Sequence, residues 1–458
     1  MGNYPHLSQK AERLRWALLE MSAVFFMKKV IISKLVPFYC LVFLHASLAC
    51  AGTFTFMGAT DKNPLAYAPG EKMVFTVQVL EDGKPVAGKN LAWTRLGDDG
   101  KTNQDMAVSA ADKPLTITTS LNQPGFVHII VAASDENGKR LLNDGKPMPL
   151  FDGSAGVTID QIKAWPEPAD FDAFWTKQKA KLAAVPLRAD LVPVASDRPG
   201  VLIFDVKVDC AGKMPVSGYF CKPANAKPKS LPAHLSFNGY GVSGAGKPWD
   251  GSTSLSLNIN AHGFLNGQPA EYYQNLAQTT LKRYAFIDEE NKNPETAYFN
   301  GMFLRVMRAL EFLKAQPEWD GKTLIVSGGS QGGLQALAAA GLDHDVTRCD
   351  ANIPWCCDLG GRNLGRLKSE FTRNWFPALG YYDAANHARR IKCNTAIYAG
   401  LGDYVCPPST IAVLYNHLAV PKKLDFQQGR THGYTMPNGA IYTLSKNWDD
   451  NQSVGTKK

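Results

Sequence analysis

The chain has 458 residues, 45% of them hydrophobic and 20% charged, which is the make-up of a globular protein with room for two domains and excludes a disordered or collagen-like chain. The formal charge of +8 is uneven, because residues 1–51 hold six Lys/Arg against two acidic residues and so carry half of the excess. The remainder has no basic cluster interleaved with aromatics, which argues against nucleic acid as a partner.

From Met27 the sequence reads MKKVIISKLVPFYCLVFLHASLACAG. Lys28 and Lys29 form a basic start, Leu35 to Leu44 an apolar stretch, and Ala49-Cys50-Ala51 a small-residue cleavage site, which is the pattern of a signal peptide. The apolar part falls short of the roughly 20 residues that a membrane span needs. Met27 therefore reads as the true start, and residues 1–51 as an upstream extension plus signal peptide. Cleavage after Ala51 is expected. Lipid attachment at Cys50 is the alternative, which would make the product an outer-membrane lipoprotein instead of a periplasmic or extracellular protein. Seven cysteines follow residue 51, without CxxC spacing and without clustered histidines, so no metal or cofactor site is expected. Burial is the default reading for each thiol, with Cys349 and Cys393 as the pair to inspect for a bridge.

Residues 52–137 carry short alternating runs, KMVFTVQVL, NLAWTRLG, LTITTSL and GFVHIIVAA, separated by Asp-Gly turns. This spacing predicts a small antiparallel β-sandwich of immunoglobulin type, read as a spacer or packing module. A loop-rich linker is expected over 138–164. From 165 to 458 strands alternate with helices, beginning with a helix over PADFDAFWTKQKAKLAAV, then a hairpin from VLIFDVKVDC and MPVSGYFCKP. The expected fold class is therefore α/β, a mostly parallel sheet of α/β-hydrolase type preceded by the sandwich.

The chemistry concentrates in Gly328-Gly329-Ser330-Gln331-Gly332, which follows the strand-like TLIV and opens an alanine-rich helix. A G-x-S-x-G serine on a strand–turn–helix is a nucleophile elbow, where neighbours without Cβ atoms let strand and helix approach. Such a serine needs a base and an orienting carboxylate, expected in the order Ser, acid, His. Downstream, His344, His387 and His417 sit in helix-like stretches, whereas His432 sits in a Gly-flanked loop after KLDFQQ. Asp403, which ends NTAIYAGLG, is favoured as the acid over Asp358; Asp425 lies inside a strand. The backbone N–H groups of Tyr240, in FNGYG, and Gln331 are expected to form the oxyanion hole.

In order along the chain, PADFDAFW, FNGYG, GGSQGG, GLGDYVCPPST and THGY resemble the acetylxylan esterase/cephalosporin C deacetylase family, carbohydrate esterase family seven of the α/β-hydrolase superfamily. The resemblance covers roughly residues 165 to 445. It implies Ser330 as nucleophile, Asp403 as acid and His432 as base, acting on acetylated oligosaccharides or other small acetyl esters, often in a homo-oligomer. Two departures stand out: Asn238-Gly239-Tyr240 replaces the usual His-Gly-Tyr, and NINAHGFLNG, with His262, replaces an RGQG-like segment. A larger-acyl esterase or exopeptidase on the same fold, and an inactive glycan-binding protein, are the alternatives.

Overall fold

The computed structural model describes residues 52–366 and 374–449, so the expectations for the signal peptide and Cys50 lie outside the described residues. The described chain opens with β1 (Phe54–Thr60), β2 (Met73–Glu81), β3 (Lys84–Pro85), β4 (Asn90–Gly97), β5 (Thr102–Val108), β6 (Leu115–Thr119), β7 (Gly125–Ser134), the short β8 (Leu142–Asn143) and β9 (Lys146–Pro147), and β10 (Phe151–Val157). β1, β3 and β6 pair antiparallel with β2, while β10, β7, β4 and β5 make a second antiparallel sheet in that order. Every second residue of β2, namely Met73, Phe75, Val77 and Val79, is fully buried, as the period-two geometry of a strand requires. They share one core with Leu91, Ile129, Val131 and Phe151 of the second sheet.

β10 departs from the expected linker. All seven of its residues, FDGSAGV, are buried, and it pairs with β7 along its whole length. A strand covered on both faces shows no polar–apolar alternation, and its glycines, serine and aspartate read as a turn.

A larger, ten-stranded sheet is built from β11 (Ala189–Val194), β12 (Val201–Val208), β13 (Val216–Pro223), β14 (Leu231–Phe237), β15 (Leu255–Ile259), β16 (Trp319–Gly329), β17 (Arg348–Asn352), β18 (Asn394–Gly400), β19 (Lys422–Gln427) and β20 (Ile441–Lys446). Their spatial order is β11-β12-β13-β15-β14-β16-β17-β18-β19-β20. From β15 to β19 all pairings are parallel, whereas β11, β12, β13 and β20 join antiparallel. The expected mostly parallel sheet is thus a mixed one, parallel at its centre and antiparallel towards both edges.

The helices are α1 (Phe171–Ala183), α2 (Ala270–Gln278), α3 (Asp288–Asn291), α4 (Tyr298–Lys314), α5 (Gln331–Leu342), α6 (Ala384–Ala388) and α7 (Pro408–His417). α4 is buried along nearly its full length, and every residue of α5 is buried. The fully buried Arg308 of α4 donates to the carbonyls of Leu182 and Val185 at 2.7 and 2.9 Å, which satisfies the end of α1 and ties the two helices together. Leu324 and Val326 of β16 are fully buried, while Ile325 and Ser327 lie half-buried on the opposite face. β17 and β18 are neighbours with Cys349 opposite Thr395, yet the seven described cysteines are all free thiols. Among the described residues no helix is long and apolar enough to cross a membrane.

Candidate active site

Ser330 lies between β16 and α5 with φ 56° and ψ −117°, a backbone conformation that side chains other than glycine rarely adopt. The turn is held from three directions. Ser330 N–H donates to the Asn352 carbonyl at 2.9 Å, and its carbonyl accepts from Leu334 and Trp355 at 3.1 and 3.0 Å. The glycines around it are steric necessities: a Cβ on Gly328 would lie 2.4 Å from the Gly332 backbone, and one on Gly332 would lie 2.3 Å from the Phe237 carbonyl oxygen. Gln331 is the first residue of α5, so its N–H belongs to the unpaired donors at a helix start.

Asp403 follows β18 and His432 follows β19. The Ser330 hydroxyl donates to His432 Nε2 at 2.9 Å, and His432 Nδ1–H donates to Asp403 Oδ2 at 3.0 Å. Asp403 is 1% exposed, and its other oxygen accepts the N–H groups of Val405 and Cys406, both at 2.8 Å. The carboxylate is therefore fully hydrogen-bonded and fixed in one orientation. The competing candidates lie elsewhere. Asp358 accepts from Trp165 N–H at 2.8 Å and pairs with Arg366. His387 is buried against Phe171, Trp175 and Phe303, its pKa pulled down to about 3 by that burial, and His417 is held by Ala385 and Arg389.

A second Ser–His–Asp chain lies nearby: Ser327 Oγ meets His234 Nε2 at 2.8 Å, and His234 Nδ1 meets Asp250 Oδ2 at 3.2 Å. Burial raises the Asp250 carboxyl, but hydrogen bonds from His234 and Ser256 outweigh this and hold it below the usual range. Ser327 sits inside β16, in register with Ser236 and Asp350. It therefore lacks the strained turn and the helix-start donors that Ser330 has.

In the loop after β14, Gly239 packs beside Gly329 and Ser330, and Tyr240 follows it. A buried network fixes this loop. Gly241 N–H donates to the Tyr284 hydroxyl at 2.8 Å, and that hydroxyl donates to Gln331 Oε1 at 3.2 Å. His262 Nε2–H donates to the Gly241 carbonyl at 2.9 Å, its Nδ1 accepts from Tyr298 at 2.6 Å, and Arg305 donates to the neighbouring Ala261 carbonyl. Burial presses the His262 pKa down to about 4, with the Gly241 hydrogen bond opposing, so the imidazole stays neutral at ordinary pH. Tyr240 stacks on Tyr284 with centroids 4.4 Å apart, and meets Phe286 and Trp355 edge-on.

Beside this loop opens a pocket whose walls include Phe286, Phe299, Trp355 and Trp375. It adjoins the serine through Trp355 and the acid loop through Val405 and Cys406. Asn291, which lines it, has a buried carbonyl oxygen that accepts no hydrogen bond. Asp403, Cys406 and His432 bring one potential metal-ligand atom each within 4.8 Å of one another. The donor set suits a cation poorly, because burial raises the Cys406 thiol well above the ordinary range and a thiol must ionise to bind metal.

The family model for acetyl xylan esterase (AXE1) matches residues 156–363 and 366–445. The chain belongs to this family. It is a carboxylic ester hydrolase with an acetyl xylan esterase-like function. It is 28% identical over 322 residues to the acetyl esterase Axe7A of Xylanibacter ruminicola, spanning 66% of this chain and 70% of that protein. Among solved structures it is similar to the acetyl xylan esterase from Paenibacillus sp. R4, with 28% identity, a TM-score of 0.52, and coverage of 60% of this chain and 94% of that one. Acetyl xylan esterase 1 from Thermoanaerobacterium sp. JW/SL YS485 shares the fold, at 23% identity and a TM-score of 0.52 over 61% of this chain and 93% of that one. The α/β-hydrolase fold is common to these esterases, and β1 to β9 precede the family match.

Sequence reasoning missed Tyr284, Tyr298 and Arg305, which lie far from the loop in the chain although Tyr284 touches it directly; the departure at His262 was the one available signal. Removing the Tyr284 hydroxyl (Tyr284→Phe) deletes the acceptor for Gly241 N–H. We expect kcat for p-nitrophenyl acetate to fall by about tenfold, the equivalent of one hydrogen bond of about 1–1.5 kcal/mol, with KM little changed. Steady-state kinetics on the folded variant checks this.

Proposed function

We propose that this ester hydrolase is an exported serine acetylesterase that deacetylates acetylated oligosaccharides through an acyl-enzyme. The observation that carries the reading is the hydrogen-bonded chain from Ser330 through His432 to Asp403, placed on an elbow that opens a helix. Ser330 Oγ attacks the acetyl carbonyl carbon while its proton passes to His432 Nε2. The carbonyl oxygen becomes an oxyanion facing the N–H groups of Tyr240 and Gln331, each donor worth about 3 kcal/mol in the transition state. The intermediate collapses, and His432 returns the proton to the departing sugar oxygen. Water then attacks the acetyl-serine, delivering its proton to His432, and acetate leaves as Ser330 regains its hydroxyl.

The names and the matched family of the relatives support acetyl as the acyl group. The pocket that Trp355 joins to the Ser330 turn supports a sugar as the leaving group, since its aromatic walls suit the face of a sugar ring. The same pocket motivates a second reading, a bulkier acyl chain. The ratio of kcat/KM for acetyl, butyryl and feruloyl esters separates the two. In this account the sandwich is of immunoglobulin type and runs through β10, and the hydrolase domain follows.

Replacing the nucleophile (Ser330→Ala) is expected to lower kcat/KM for p-nitrophenyl acetate by at least about 10³-fold. Ser327→Ala, which breaks the second Ser–His–Asp chain, is expected to stay within about threefold of the parent. A Ser330→Ala protein at the parent rate would refute the mechanism. Export rests on the pattern of residues 27–51; the secreted protein is expected to begin at Gly52, and mass spectrometry showing an acylated Cys50 start would establish the lipoprotein instead.

A further inference from the structure

The sandwich touches the hydrolase domain at the two loops that carry Asp403 and His432. Gln428, immediately after β19, treats Ser154 of β10 as a neighbouring strand would. Its Oε1 accepts the Ser154 N–H at 3.1 Å and its Nε2 donates to the Ser154 carbonyl at 3.2 Å. Gln428 is 1% exposed and Ser154 is fully buried, so loss of the amide would leave two backbone groups unsatisfied. On the far side of the histidine, Met436 is part of the sandwich core and Tyr434 packs against it. His432 therefore sits midway between two anchors, each four residues away, both fixed to the sandwich.

The acid loop is pressed on the same strand. A Cβ on Gly402, the residue before Asp403, would lie 2.3 Å from the Asp152 carbonyl oxygen, so the two backbones are in direct contact. Asp152 is held in turn by His128, Nε2 to Oδ1 at 2.9 Å, with both side chains buried. The two loops are also joined to each other, since Gly402 N–H donates to the Arg430 carbonyl at 3.0 Å.

We propose that β10 is a positioning element of the active site, acting through Gln428 and Gly402, with Met436 anchored in the same sandwich core, to set the separation of Asp403 and His432. This rests on the reading of Ser330, His432 and Asp403 given above. One strand fixes two loops whose key residues are 29 positions apart, so the 3.0 Å contact between them is referred to a common support. All but the last two residues of β10 precede the family match, so the support comes from this chain's amino-terminal part. A spacer would make no such demand on Gln428 or Met436.

The test uses the full chain with Gln428→Ala and Met436→Ala, compared with Met436→Leu and Ser154→Ala. Leucine keeps the apolar anchor, and the Ser154 hydroxyl makes no hydrogen bond, so both comparison variants leave the brace in place. Each is assayed with p-nitrophenyl acetate below its own unfolding midpoint, and the His432 Nδ1–H signal is followed by proton NMR. The expected result is a fall in kcat of about 10- to 100-fold for the two alanine variants, with KM within about twofold and the imidazole proton signal shifted or lost. Met436→Leu and Ser154→Ala stay within about twofold of the parent. If Met436→Ala does not fold, Gln428→Ala decides. Parent kcat and an unchanged proton signal in folded Gln428→Ala, with or without lost stability, would overturn the proposal. Activity surviving in Ser330→Ala would instead overturn the reading of the site.

Discussion

The positive φ of Ser330 is the constraint on which the rest of this molecule depends. A serine held there costs of order 1–3 kcal/mol, and the surroundings must over-determine it. They do so with backbone hydrogen bonds to Asn352, Leu334 and Trp355, with two glycines that let β16, β14 and α5 close on one another, and with the full burial of α5. The strain has a chemical return. The turn holds the hydroxyl 2.9 Å from His432 Nε2, at the start of α5. Ser327, three residues earlier, has the same kinds of side-chain partner on an ordinary strand, in a half-buried hydrogen-bonded cluster.

Around the elbow the polar groups are kept neutral or fully bonded, which is what a low-dielectric site requires. His262 is uncharged and passes its one N–H to Gly241. Tyr284 and Tyr298 are pushed far above the usual phenol range by burial, so they serve as hydroxyl donors and acceptors. Arg305, buried without a carboxylate partner among the described residues, spends its charge on the Ala261 carbonyl. The loop after β14 is thus held by neutral hydrogen-bonding groups, Tyr284 and His262.

The sequence showed the parts of the fold that repeat a simple period and the parts of the site that form a local motif. β2 alternates cleanly, and the central strands are short apolar runs. Ser330, Asp403 and His432 each follow a strand, in the order the fold demands, so their convergence could be anticipated without coordinates. What stayed hidden was long-range. β10 has small residues because it is squeezed between two layers, and that composition imitates a linker. β15 and β20 are hard to see as well: β15, LSLNI, lies in a serine-rich stretch, and β20 is largely exposed at the sheet edge. Gln428 looks like any polar residue after a strand until the Ser154 backbone is seen across from it, 274 positions away in the chain.

The central claim is that the elbow, and not the presence of a histidine and an acid, selects the reactive serine. Fluorophosphonate labelling followed by peptide mass spectrometry tests it most directly, because both serines have histidine partners within 3 Å. The account predicts a single adduct, on Ser330, that disappears in Ser330→Ala and persists in Ser327→Ala. An adduct on Ser327, or no adduct in folded protein, would contradict it.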